Sequence, residues 1–154
     1  MIEFDPWQTT FWLRFGLAVL AGGVIGVERQ VRGKPVGVRT SILICLGTSV
    51  FVGLGVGMGS DQVDPTRVLG QVVTGVGFLG AGVILARGGV VTGVTTASVI
   101  WMLAAIGSCI GLGLYAGAGI FAVLTVALLA GVTLLESVFN RLRTGMYADD
   151  DDPA

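Results

Sequence analysis

Three stretches of this chain carry no charged residue at all: Thr40 to Ser60, Val68 to Ala86 and Gly88 to Leu135. A helix rises about 1.5 Å per residue and needs about 20 largely apolar residues to cross the hydrocarbon core of a bilayer, so each stretch can do so. A soluble domain is about 25% charged. Here the fraction is 12%, with 53% hydrophobic residues and a mean hydropathy of +0.88. The pattern excludes a soluble enzyme and a disordered tail, and points to an all-α, polytopic transmembrane helix bundle embedded in the lipid bilayer.

Measured against that length, the chain divides into about five spans: Thr9 to Val27, Val38 to Met58, Pro65 to Ala86, Gly93 to Gly111 and Ala116 to Val138. Asp64 is the expected N-cap of the third, with Pro65 at its first helical position. The last uncharged stretch must hold two spans, because one helix of that length overshoots the bilayer, and the glycines from Gly111 to Gly119 offer the break. Residues 1–138 form the membrane domain, and 139–154 are expected to be a short, solvated acidic tail ending in Asp149 to Asp152.

The Lys/Arg distribution sets the expected orientation. Arg29, Arg32, Lys34, Arg39, Arg87, Arg141 and Arg143 fall on one side, which should be cytoplasmic; the other has only Arg14 and Arg67, at span ends. The N-terminus is then external and the C-terminus cytoplasmic. Glu3 and Asp5 precede the first apolar stretch where a signal peptide would be basic, so that stretch is expected to remain as a span. Trp7 and Trp12 sit at the external boundary as anchors, with Arg14 snorkelling toward the headgroups beside them.

Gly16 to Val27 laid over Gly75 to Ala86 gives five identities in twelve positions. After a three-residue gap, Gly37, Val38 and Thr40 pair with Gly93, Val94 and Thr96, where the second and fourth spans begin. The unit is helix, basic loop, helix, and both copies start on the same side, so the expected relation is a parallel repeat about an axis along the membrane normal. Small residues recur at Ala18, Gly22 and Gly26, and at Gly77 and Ala81 in the second copy, marking expected helix-packing faces. More such spacings occur than one chain's contacts require, which leaves a homo-oligomer and intrachain packing as parallel readings.

Other motifs carry less. Gly75, Gly77 and Gly80 spell GxGxxG without the preceding strand or the later acidic residue of a dinucleotide site, so they are read as packing glycines. Cys45 and Cys109 differ in expected depth by about 12 Å, beyond the roughly 7 Å that a disulfide spans. With no His and only two Cys, the chain lacks a histidine base, a histidine metal site and a cysteine-rich zinc site. No catalytic residue is assigned, the chain is read as non-enzymatic, and no cofactor is expected. Nine basic against ten acidic residues give no broad field for a nucleic acid, and none is expected as partner. Asp61 and Asp64 are weak metal candidates, two carboxylates without a cage.

The richest polar segment is the first basic loop. Glu28, Arg29, Arg39 and Thr40 lie on it or at the start of the second span, and Thr95 and Thr96 occupy the matching place at the fourth. Two converging helix N-termini beside Arg39 would attract an anion, a lipid headgroup or an acidic segment. The bland reading is membrane anchoring by the basic residues, with an ion pair from Glu28 to a neighbouring Arg.

Three segments together, GGVIGVERQVRGKPVGVRTSILICLG (Gly22 to Gly47), DPTRVLGQVVTGVGFLGAGVIL (Asp64 to Leu85) and GVTTASVIWMLAAIG (Gly93 to Gly107), resemble the membrane domain of the MgtC/SapB family. The likeness runs from about Phe11 to Leu135. It implies a bacterial inner-membrane protein tied to magnesium homeostasis and growth at low magnesium, acting on membrane protein partners such as the ATP synthase. Longer members add a soluble C-terminal domain, whose functions do not carry over to a chain ending at Ala154. Two readings follow: a regulator working through membrane partners, and a transporter or channel for Mg²⁺ or another ion. The absence of a carboxylate from the middle of any expected span, Glu136 lying in the last turn of the fifth, weighs against transport.

Overall fold

The structure, a computed structural model, describes residues 6–57 and 65–138. It is an all-α bundle of five helices: α1 (Thr9–Val31), α2 (Val38–Gly57), α3 (Pro65–Gly82), α4 (Val94–Gly111) and α5 (Tyr115–Val138). A two-stranded hairpin, β1 (Leu85–Arg87) and β2 (Val90–Thr92), joins α3 to α4. By length and composition α1, α2, α4 and the Tyr115–Val132 part of α5 can each cross a membrane. α3 is as long as α4, but Thr66, Arg67, Gln71 and Thr74 lower its hydropathy. The chain is a multi-pass membrane protein.

Local chemistry sets the helix ends. α1 runs one turn beyond the expected Val27, because Glu28 and Arg29 find partners in Arg32 and Thr96 and the helix continues through them to Val31. It stops where Gly33 takes a left-handed φ of +62°, Gly33 N–H donates to Gln30 C=O at 3.1 Å and Lys34 N–H to Arg29 C=O at 3.0 Å. This is a Schellman cap. α4 ends the same way at Gly113, with N–H bonds from Gly113 to Ile110 C=O and from Leu114 to Cys109 C=O. α3 is shorter than the sequence suggests, ending at Gly82 instead of Ala86. Gly88 and Gly89, both at positive φ, form the two-residue turn that pairs Arg87 with Val90, and the β-branched residues beside them become strand.

α2 and α4 form the centre. α1 packs mainly on α2 and more lightly on α4, while α3 packs mainly on α4 and more lightly on α2, the arrangement that a two-fold exchange of α1–α2 with α3–α4 requires. α5 lies outside the repeat, against α1 and α4. Backbones approach closely along the middle: a Cβ on Gly111 would lie 2.7 Å from Ser49 C=O, and one on Gly107 would clash with Cys45 C=O. The core between these helices is Ile25, Cys45, Val99, Leu103, Ile106 and Ile110 with small buried hydroxyls at Ser41, Thr48 and Ser49. Both cysteines are free.

Candidate functional site

The last turn of α1 and the Arg32 cap that follows it carry Glu28, Arg29 and Arg32 into the end of the bundle where α2 and α4 begin. Arg29 is only 3% exposed. Its Nη2 donates to Thr96 Oγ1 at 2.9 Å, a bond that ties α1 to the first turn of α4. Glu28, whose side chain is 9% exposed, pairs with Arg32 one turn later. Glu28 Oε1 faces Arg32 Nε, while Glu28 Oε2 and Arg29 Nε are buried without a hydrogen-bond partner among the described residues. A buried charge in that condition is costly, so this cluster is a polar knot held by the packing around it.

The same α1 end also grips α2. Gln30 Oε1 accepts from Val38 N–H at 3.3 Å, capping the start of α2 with a side chain from its neighbour. Gly26 makes the approach possible, since a Cβ there would meet Val38 Cα at 2.5 Å. Val36, at φ +63°, is a β-branched residue in the left-handed region. It is kept there by contacts with the core and by a 3.3 Å bond from Ser41 Oγ to its carbonyl.

Of the sequence-derived residues, the structure brings Glu28, Arg29 and Thr96 to one place. Arg39, Thr40 and Thr95 are exposed, and Thr40 instead lines a cleft between α2 and α3. Thr95 and Thr96 are neighbours in a helix and so face about 100° apart, which is why only one of them reaches Arg29. Asp61 and Asp64 lie outside the described residues. Among the described residues there is no cluster of three or more Cys, Asp or Glu side chains that would hold a metal ion.

The packing residues split. Ala18 is fully buried, and Gly22 and Gly26 are buried against α2. Gly77 faces open space and Ala81 is exposed. α3 meets α4 through Val76 and Gly80, with Val72 and Val83 flanking, a stripe displaced one residue from the expected one. The repeat therefore conserves helix order more closely than helix rotation. At the opposite end, Arg14 Nε donates to Tyr115 OH at 3.2 Å, linking α1 to α5. Sequence reasoning missed Gln30 as a cap and Tyr115 as a partner, because each reaches across helices to a residue that no local pattern pairs with it.

The MgtC family model matches residues 15–138. "Putative magnesium transporter YhiD" of Escherichia coli K12 is 49% identical over 112 residues, covering 68% of this chain and 52% of that protein. "Protein MgtC" of Brucella abortus strain 2308 is 40% identical over 132 residues, covering 84% and 55%. An uncharacterized Synechocystis protein is 42% identical over 106 residues, covering 69% and 45%. The chain spans about half the length of these curated relatives. None of the three is named as an enzyme. No solved structure matches the chain.

Proposed function

We propose, from the premise that this chain belongs to the MgtC family, that it is a non-enzymatic regulator in magnesium homeostasis. It acts by binding other membrane proteins in the bacterial inner membrane, with its N-terminus external and its basic end cytoplasmic. The observation that carries this reading is the closed axis of the bundle. Gly107 and Gly111 set α4 directly on the Cys45 and Ser49 carbonyls of α2, and Ile106, Ile110 and Leu103 fill what remains. An ion crossing there would have to part the two central helices. The buried charges Glu28 and Arg29 lie at one end of α1, not along a path.

The groove between α1 and α5, about 440 Å³ and floored by Ala118, Gly119 and Ala122, gives a partner helix a small-residue surface. Ion transport, suggested by the name of the Escherichia coli relative, is the second reading. Purified protein in liposomes loaded with a Mg²⁺ indicator separates the two. The expected flux equals that of empty vesicles. Mg²⁺ influx well above that background, abolished by Glu28→Gln, would overturn the regulatory reading.

A further inference from the structure

The α2–α3 cleft has a shape that the packing of five helices does not require. Its volume is about 590 Å³, and its lining is apolar apart from Thr40 and Thr48 on α2 and Gln71 on α3. It begins at Thr40, beside the basic end, and reaches Phe51. Eleven helical residues rise about 16 Å, which is half of a hydrocarbon core of about 30 Å, the depth of a single leaflet. Beyond that depth the helices close: a Cβ on Gly55 would lie 2.5 Å from Val68 Cγ2. Gly47 and Gly75 line opposite walls, and a Cβ on either meets nothing within 4 Å.

The rim is charged. Arg39, next to Thr40, is exposed, as is Lys34 on the α1–α2 connection, while the carboxylate of Glu28, near the end of α1, is turned inward and paired with Arg32. Among the described residues the accessible charge at the mouth is thus positive. One acyl chain of the leaflet reaches the depth of the cleft, and it comes with a headgroup at the height of Arg39.

We propose that the α2–α3 cleft binds an anionic phospholipid of the leaflet at the basic end, with one acyl chain between Thr40 and Phe51 and its phosphate on Arg39. The lipid wedges α3 away from α2 over one leaflet and leaves the two in contact beyond it.

Full-length protein in vesicles of mixed phosphatidylglycerol and phosphatidylethanolamine tests this, with lipid retained after detergent extraction read by native mass spectrometry. Wild-type protein is expected to retain phosphatidylglycerol. Gly75→Leu, or Gly47→Leu from the other wall, fills the cleft and lowers that retention at least fivefold. Arg39→Gln abolishes the preference for phosphatidylglycerol. Gly131→Leu, on α5 where a Cβ meets nothing within 4 Å, leaves retention unchanged. Equal retention in wild type and both cleft-filling variants, or equal loss in Gly131→Leu, overturns the proposal. A photoreactive phenylalanine analogue replacing Leu79 in membranes gives an independent readout: a phospholipid adduct is expected, and crosslinking to a second copy or another protein in its place overturns the assignment.

Discussion

Thr96→Val tests whether the bond from α1 to α4 holds the basic end together. Valine keeps the shape of threonine and removes the hydroxyl that accepts from Arg29 Nη2 at 2.9 Å. Neutral interhelical hydrogen bonds in membrane proteins average only about 0.6 kcal/mol, because the separated helices find other partners. Here the donor is charged and only 3% exposed, and its Nε already lacks a partner among the described residues. The relevant magnitude is therefore that of a bond to a charged group, about 1.5–3 kcal/mol. We predict that Thr96→Val destabilises the protein by that amount in equilibrium unfolding with sodium dodecyl sulfate in mixed micelles, followed by tryptophan fluorescence. Arg29→Met combined with Thr96→Val should be little worse than Arg29→Met alone, because removing both partners leaves nothing orphaned. A Thr96→Val loss below about 0.5 kcal/mol, or a double variant that loses the full sum of the single changes, would refute the reasoning.

Three further outcomes are expected. Gly26→Ala and Gly111→Ala, which place a methyl 2.5 Å from Val38 Cα and 2.7 Å from Ser49 C=O, should each destabilise by about 1–3 kcal/mol through overpacking, whereas Gly77→Ala, facing open space, should stabilise α3 by up to about 1 kcal/mol; the same unfolding assay checks all three. In native membranes a maleimide should fail to label Cys45, which is fully buried, and should label it after denaturation; rapid native labelling would contradict the packing of α2 on α4. Replacing Gly89 with Val should strain the hairpin at its φ of +83° and speed proteolysis there, while Val90→Thr in the adjacent strand should not.

Much of the architecture was legible because it rests on one-dimensional quantities. Apolar length gave the number of helices, and the glycines from Gly111 to Gly119 marked the break between the last two. The end of α3 was misplaced because the stretch from Val83 to Ala86 is apolar in either a helix or a strand, and only the turn geometry decides. The site was half legible. Glu28, Arg29 and Thr96 stood out by charge and by position in the repeat, but Thr96 is 67 residues from Arg29, and no local pattern says which hydroxyl of the pair at 95 and 96 points inward. Gly77 and Ala81 lie off the contact with α4 for the related reason that spacing fixes a stripe on a helix but not the angle at which the helix is turned.

The place of α4 has a consequence for how the bundle comes into being. It touches all four other helices, yet it is the fourth to be made. α1 and α2 can close on each other as soon as both exist, with Gly26 against Val38 and Gln30 on the end of α2. α3 has only its lighter contact with α2 in hand: its main seat, the face of Ala97 and Ile100, belongs to the segment that follows it. The helix with the least apolar composition therefore enters the membrane before the surface that covers it has been synthesised. The completed bundle is sealed by the arrival of α4, so chain order and assembly order are not the same.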